Sequence, residues 1–163
     1  MRTGLKVIIY TDGAARGNPC KGGYGAVMLY GKHRKELSAG FRLTTNNRME
    51  LLAVISALKA LNKDNLEIDI FTDSKYVMDA FEKNWINGWQ KKGYKNIKNP
   101  DLWRMLILLY NKHVIKFHWV KGHSGHPLNE RCDELATTAA DGFTLLTDQG
   151  YEDSLKQDNG GLV

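Results

Sequence analysis

The 163-residue sequence has little of what marks a specialised class of protein. It has only two cysteines, Cys20 and Cys132, far apart and outside any Cys-x-x-Cys pattern, so neither a disulfide framework nor a zinc site is expected. Prolines number three. No apolar run reaches the ~18 residues that a membrane-spanning helix needs. The start, Met-Arg-Thr-Gly-Leu-Lys, has no signal-peptide core, and the expected compartment is a reducing cytoplasm. No internal repeat is present, and no linker is long enough to separate two domains. With 42% hydrophobic and 25% charged residues, the chain has the proportions of one ordinary globular domain, long enough for a core without staples.

Acid is missing from one place in particular. Between Lys83 and Lys98 stand five lysines (83, 91, 92, 95 and 98) and no Asp or Glu. These five account for the whole excess of 23 Lys+Arg over 18 Asp+Glu. Trp85, Trp89 and Tyr94 lie among them. Lysines interleaved with flat rings suit a nucleic acid, the cations meeting phosphates and the rings meeting sugars or bases. The alternative is a solvated lysine-rich loop whose tryptophans pack into the core. From Asp141 onward the balance reverses, with five acids and one lysine. Residues 146–163 therefore read as a flexible acidic tail, disordered from about Gln149.

What is present has a clear order of periods. Leu5–Thr11 is β-rich and ends at the turn signal Asp12-Gly13. Tyr24–Tyr30 and Glu36–Leu43 read as two more strands of an antiparallel meander. Leu51, Val54, Ile55, Leu58 and Leu61 then follow helical spacing, with Asn47 and Glu50 resembling a capping box. Leu66–Thr72 is a fourth strand, ending at Asp73-Ser74, and a short helix spans Lys75 to about Phe81. Asn99-Pro100-Asp101 opens another helix with an Asn cap and Pro in the first turn. Val114–Val120 is the fifth strand, and Leu128 to about Ala140 the last helix, with Cys132, Leu135, Ala136 and Ala139 as its buried stripe. Helical crossovers make strands one, four and five parallel. The expected fold is α/β: one mixed five-stranded sheet, strands one to three antiparallel, flanked by helices. Residues 1–145 form the single domain, including a basic protrusion over about 83–98.

Two acids, Asp12 and Asp73, each close an expected strand, and ligands gather at the carboxyl ends of parallel strands. Glu50 faces Ala53, Val54 and Ala57, and Asp133 faces Ala136, Thr137 and Ala140, so both sit on apolar helix faces. Four inward carboxylates would repel one another and raise their pKa values. Bound divalent ions relieve this, and all-oxygen ligation points to Mg²⁺ or Mn²⁺. Two such ions roughly 3.5–4 Å apart are a known arrangement for phosphoryl hydrolysis. His123, in the glycine-rich loop Gly122–Pro127, is positioned to carry protons. His126, beside a proline, reads as structural.

The motifs Tyr10-Thr-Asp-Gly-Ala-Ala-Arg-Gly-Asn18-Pro, Gly22-Gly-Tyr-Gly, Thr44-Thr-Asn-Asn-Arg-Met-Glu-Leu51, Thr72-Asp-Ser-Lys-Tyr-Val77, Asp101-Leu-Trp103 and Val120-Lys-Gly-His-Ser-Gly-His-Pro-Leu-Asn-Glu-Arg-Cys-Asp-Glu-Leu-Ala136 resemble the type 1 ribonuclease H family, bacterial ribonuclease HI. The resemblance implies an RNase H-like fold and a Mg²⁺-dependent endonuclease that cleaves the RNA strand of RNA–DNA hybrids, leaving 5′-phosphate and 3′-hydroxyl ends. It implies Asp12, Glu50, Asp73 and Asp133 as ligands of two Mg²⁺ ions when substrate is bound, with Mn²⁺ as a substitute. His123 falls on the family's loop histidine for proton transfer or product release. Asn18, Asn46 and Lys75 match contacts to the RNA strand, and Asn47 is a further nucleic-acid-binding candidate. Thr45 and Asn99 match a DNA phosphate pocket, and Trp85, with Trp89, Lys91 and Lys92, falls in the basic protrusion that meets the DNA strand. The RNA–DNA hybrid is the implied partner. A monomer with no membrane and no obligate protein partner is expected.

Some positions depart from the family pattern. Ala14-Ala15 stand where polar or Cys residues often follow Asp-Gly. Leu43 takes the place of an arginine, Arg42 beside it belongs to the opposite strand face, and the protrusion is shorter. Among alternatives, proofreading exonucleases need Asp-x-Glu, where this chain has Ala14, and integrases place their glutamate last. A non-catalytic hybrid-binding module would keep the lysines without the acids.

Overall fold

The computed structural model describes residues 5–160, with side chains through Gln157. Its elements run β1 (Val7–Ala15), β2 (Cys20–Tyr30), β3 (His33–Thr44), α1 (Asn46–Lys59), β4 (Glu67–Thr72), α2 (Lys75–Glu82), α3 (Trp85–Lys91), α4 (Pro100–Tyr110), β5 (Val114–Trp119), α5 (Pro127–Ala140) and α6 (Gln149–Gly160). The strands form one sheet in the order β3-β2-β1-β4-β5. β1 pairs antiparallel with β2 and β2 with β3, whereas β1–β4 and β4–β5 are parallel. This is the mixed sheet expected from the order of periods.

Alternation along β1 and β4 sorts side chains to the two faces. Val7, Ile9, Ile68 and Ile70 go to one side, where Leu51, Val54, Ile55 and Leu58 of α1 and Trp103 and Leu106 of α4 complete the larger core. Tyr10 and Val27 go to the other side, beneath Cys132 of α5. Helix α5 lies unusually close to that face, because glycines line the sheet below it. A Cβ at Gly25 would come 2.3 Å from the Cys132 carbonyl oxygen, and at Gly23 2.3 Å from that of Ala136. Gly25 is also the register partner of Asp12, so this seam sets the height of Asp133 above it.

Four local expectations change. β1 does not stop before Asp12; its pairing with β4 ends at Thr11–Thr72, but it continues against β2 to Ala15. The cap of α1 is Thr45, whose Oγ1 accepts from the Arg48 amide at 3.2 Å, so Asn47 and Glu50 form no capping box. The glutamate is drawn off to the sheet instead. The basic stretch is not one loop, since it contains α3. Asn99 does occupy the cap position of α4 ahead of Pro100, but its side chain makes no capping hydrogen bond.

The acidic segment expected to be flexible from residue 146 is held along most of its described length. Leu146 bridges Phe41 on the outer edge of β3, with Arg42 N donating to Leu146 O at 2.9 Å and Leu146 N to Gly40 O at 2.8 Å. Asp148 is buried, and Arg42 makes a two-pronged ion pair with Glu152 of α6 at 2.7 and 2.9 Å. The anchors are polar and distant in sequence, so the poor apolar pattern of the segment does not register them. Residues 161–163 lie outside the described region. No helix among the described residues is long and apolar enough to cross a membrane.

The glycine seam makes a testable demand. Gly25→Ala forces backbone against backbone, and an overpacked site of this kind costs about 1–3 kcal/mol. Urea denaturation of Gly25→Ala is expected to show that loss, together with reduced activity as α5 lifts Asp133.

Candidate active site

The parallel register that sets Thr11 beside Thr72 carries Asp12 and Asp73, the next residues, to neighbouring positions at the carboxyl ends of β1 and β4. Glu50 enters from α1. Its approach depends on Gly13, where a Cβ would meet the Glu50 amide nitrogen at 2.4 Å. One carboxylate oxygen each from Asp12, Glu50 and Asp73 lies within 4.8 Å of the other two. Asp133, half-buried on α5, completes the group: it acts on Asp12 both as a charge and as a hydrogen-bond partner. Three of the four predicted acids thus meet in one potential ligand shell, and Asp133 lies close enough to bear on Asp12 electrostatically without joining that shell.

Their electrostatics follow from burial. Desolvation, then the charges of Asp73 and Asp133, push Asp12 up to about 9, against a weaker opposing bond from the Gly13 amide at 3.0 Å. Burial and the Asp12 charge raise Glu50 well above the usual carboxylate range. Burial likewise raises Asp73, although a hydrogen bond with Asp12 and the charge of His123 pull the other way. A buried carboxylate without a partner is costly, yet Glu50 Oε2 is buried and has none. An orphaned carboxylate oxygen facing two further carboxylates is what a hard cation with oxygen ligands satisfies, so the residues fit a divalent metal ion.

The remaining predicted residues have these local settings. Asn46, at the start of α1, donates its amide to Asn18 Oδ1 at 3.3 Å, which joins two sequence-distant asparagines, and Asn47 is exposed beside them. Thr45 has its hydroxyl oxygen engaged by the Arg48 amide, which leaves the O–H free to donate. Lys75 begins α2, just past Asp73, with its ammonium 4.3 Å from the centroid of the Trp119 ring. His123 is exposed, with φ of +55°, and Gly122 before it lies against Asp73, where a Cβ would come 2.8 Å from Oδ2. His126 sits beneath the loop, 3.4 Å from the Tyr10 hydroxyl.

In the protrusion the two tryptophans differ. Trp85 is 46% exposed, with Lys83 above its face. Trp89 packs edge-on against the buried Trp103, centroids 5.0 Å apart. Lys91 and Lys92 are exposed at the end of α3. Trp119 escaped the sequence reading. It is 44% exposed and pairs in register with Thr72, so its position beside Asp73 was implied by the strand alignment rather than by any motif.

The raised acids predict how stability responds to pH. A carboxyl whose folded pKa is raised favours folding while protonated. For Asp12 that contribution is fully present below 3.8, falls as the unfolded carboxyl ionises, and is gone once the folded group ionises near pH 9. Without divalent ions, Tm is expected to decline as pH rises through that window, and Asp12→Asn should flatten the decline. Millimolar Mg²⁺ should restore Tm chiefly at the alkaline end. Thermal melts with and without chelator measure both effects.

Comparison with known proteins agrees with this geometry. Residues 5–141 match the RNase H family. A Ribonuclease H of Aeromonas hydrophila is 55% identical over 152 residues, covering 90% of this chain and 97% of its own. One from Desulforamulus reducens is 58% identical over 144 residues, covering 85% and 90%. Among solved structures, LC9-RNase H1, described as a type 1 RNase H with the type 2 active-site motif, superimposes with a TM-score of 0.78 at 32% identity, covering 91% of this chain and 80% of its own. LC11-RNase H1 in complex with RNA/DNA hybrid superimposes with a TM-score of 0.63 at 28% identity, covering 83% and 97%. By sequence, fold and the acids the fold assembles, the chain belongs to the RNase H family.

Proposed function

We propose that this chain is an endonuclease that hydrolyses the RNA strand of RNA–DNA hybrids, giving 5′-phosphate and 3′-hydroxyl ends, with two Mg²⁺ ions held by Asp12, Glu50, Asp73 and Asp133. The observation that carries the reading is the buried carboxylate cluster with its orphaned Glu50 oxygen. Crystallisation of LC11-RNase H1 with an RNA/DNA hybrid supports the choice of substrate. A non-catalytic binding module would have no use for four mutually repelling acids. A cytoplasmic setting with no obligate protein partner is part of the proposal.

Mg²⁺, when bound, acidifies a water and neutralises charge at the phosphate. The protein does the rest. Asn46, one helical turn before Glu50, and Asn18, hydrogen-bonded to it, are small polar groups that can test for the 2′-hydroxyl that distinguishes RNA. Lys75 holds a phosphate on the RNA side. Thr45 and Asn99 hold one on the DNA side, and the Trp85 face and Lys91 and Lys92 follow the DNA strand beyond it. Water attacks phosphorus, and the bond to the 3′-oxygen breaks. His123, exposed on its loop, carries a proton at the departing oxygen and helps release product.

Cleavage assays on matched RNA–DNA, RNA–RNA and DNA–DNA duplexes test the proposal. Only the hybrid should be cut, and only with Mg²⁺ or Mn²⁺. Asp73→Asn should abolish cutting while hybrid affinity stays within a few-fold, and an equal loss of affinity would refute its metal role. Each phosphate neutralised adds about 0.9 to the slope of log K against log salt. Lys91→Ala with Lys92→Ala should therefore make that slope shallower by up to ~2, measured by fluorescence anisotropy of a labelled hybrid.

A further inference from the structure

Arg48 is a buried arginine two residues before Glu50, and the site described so far does not use it. All five guanidinium N–H donors have places to go. Nε donates to Asp148 Oδ2 at 2.7 Å, and Nη2 donates to Asp148 Oδ1 at 3.0 Å and Asp101 Oδ2 at 2.7 Å. Nη1 donates to Asp101 Oδ1 at 3.0 Å and to Asn99 Oδ1 at 3.3 Å. Thr44 Oγ1 also donates to Asp148 Oδ2 at 2.7 Å, fixing that carboxylate from β3. The plane of the guanidinium is therefore fully determined.

Asn99 is the unusual partner. It stands at the cap position of α4 in the left-handed region, φ +60°, yet makes no capping bond. Its side chain is turned instead between Arg48 and Tyr76, with Nδ2 donating to the Tyr76 hydroxyl at 3.1 Å. Tyr76 is itself held by Trp103 Nε1 at 2.9 Å. With Oδ1 fixed on Arg48 and one amide hydrogen fixed on Tyr76, the second amide hydrogen has a set direction and no hydrogen-bond partner among the described residues. Buried ion clusters contribute little net stability compared with apolar packing, so stability alone is a weak reason for this arrangement. Orientation of the amide is a stronger one.

We propose that Arg48 is a positioning residue for the DNA-strand phosphate site: clamped by Asp148 and Asp101, it orients the Asn99 amide toward a phosphate oxygen, so the segment leading into α6 sets affinity for the hybrid. This rests on the reading of Thr45 and Asn99 as phosphate contacts. Arg48→Lys cannot reproduce the fork, and Asp148→Asn weakens one jaw of the clamp.

The test is steady-state kinetics on an RNA–DNA hybrid and on a series of hybrids, each with one uncharged methylphosphonate in the DNA strand. For the unaltered protein, one position should raise KM. Arg48→Lys and Asp148→Asn should each raise KM about 3–10-fold on the unmodified hybrid with kcat within twofold, the range of one ordinary net hydrogen bond, because the amide is misaligned rather than removed. On the hybrid whose sensitive phosphate is already neutral, they should lose nothing further. A fall in Tm with unchanged KM, or an equal penalty on every hybrid, would reduce Arg48 to a structural role and overturn the proposal. If Asp148→Asn does not fold, Asp101→Asn serves instead, because Asp101 is about half exposed and Asp148 still pairs the arginine. Asn99→Ala separates the two layers. If it leaves every hybrid unaffected, the phosphate reading fails and the proposal with it. If it raises KM while the Arg48, Asp148 and Asp101 variants behave as the unaltered protein does, only the positioning idea fails.

Discussion

Carboxylates repel, and this fold gathers four of them where water cannot screen them well. Everything around the site can be read as the means of holding that unfavourable group together. The parallel pairing of β1 with β4 fixes Asp12 beside Asp73. Gly13 lets α1 press Glu50 into the same space, and the glycine seam under α5 brings Asp133 down from above. The stored repulsion is what a bound metal ion would relieve. It also separates folding from function, since the protein must be stable enough elsewhere to tolerate an electrostatically strained centre.

The complementary charge lies on the periphery. The acids are central and desolvated, whereas the lysines of the protrusion are exposed and free to shed counterions. A polyanion approaching the protein meets cations first and acids only where divalent ions compensate them. The proposed contacts Asn18, Thr45, Asn46 and Asn99 are neutral, so in that proposal they would read groups rather than charge.

The legible parts of the sequence were those governed by local periodicity or by a strand ending in an acid. Asp12 and Asp73 could be paired because two β-rich runs with a helical crossover imply parallel neighbours. Glu50 and Asp133 stood out because an acid on an apolar helix face needs an explanation. What escaped reading depends on partners far along the chain. Thr45 rather than Asn47 caps α1 because the loop from β3 turns one step earlier than the asparagine pair suggests. Helix α6 has too weak an apolar pattern to announce itself, and its segment is captured through Arg48, Arg42 and the edge of β3. Arg42 illustrates the limit in both directions. Strand alternation correctly turned it away from the position of Leu43, but nothing local says that Glu152 receives it.

Trp89, wedged against Trp103, has a consequence for the proposed contact with a hybrid. It roots the lysine-bearing helix in the hydrophobic core, so those cations are presented by a stiff limb rather than a waving one. Little ordering entropy then remains to be lost on association. Under that proposal, encounter would be governed by long-range attraction and orientation rather than by folding of the limb.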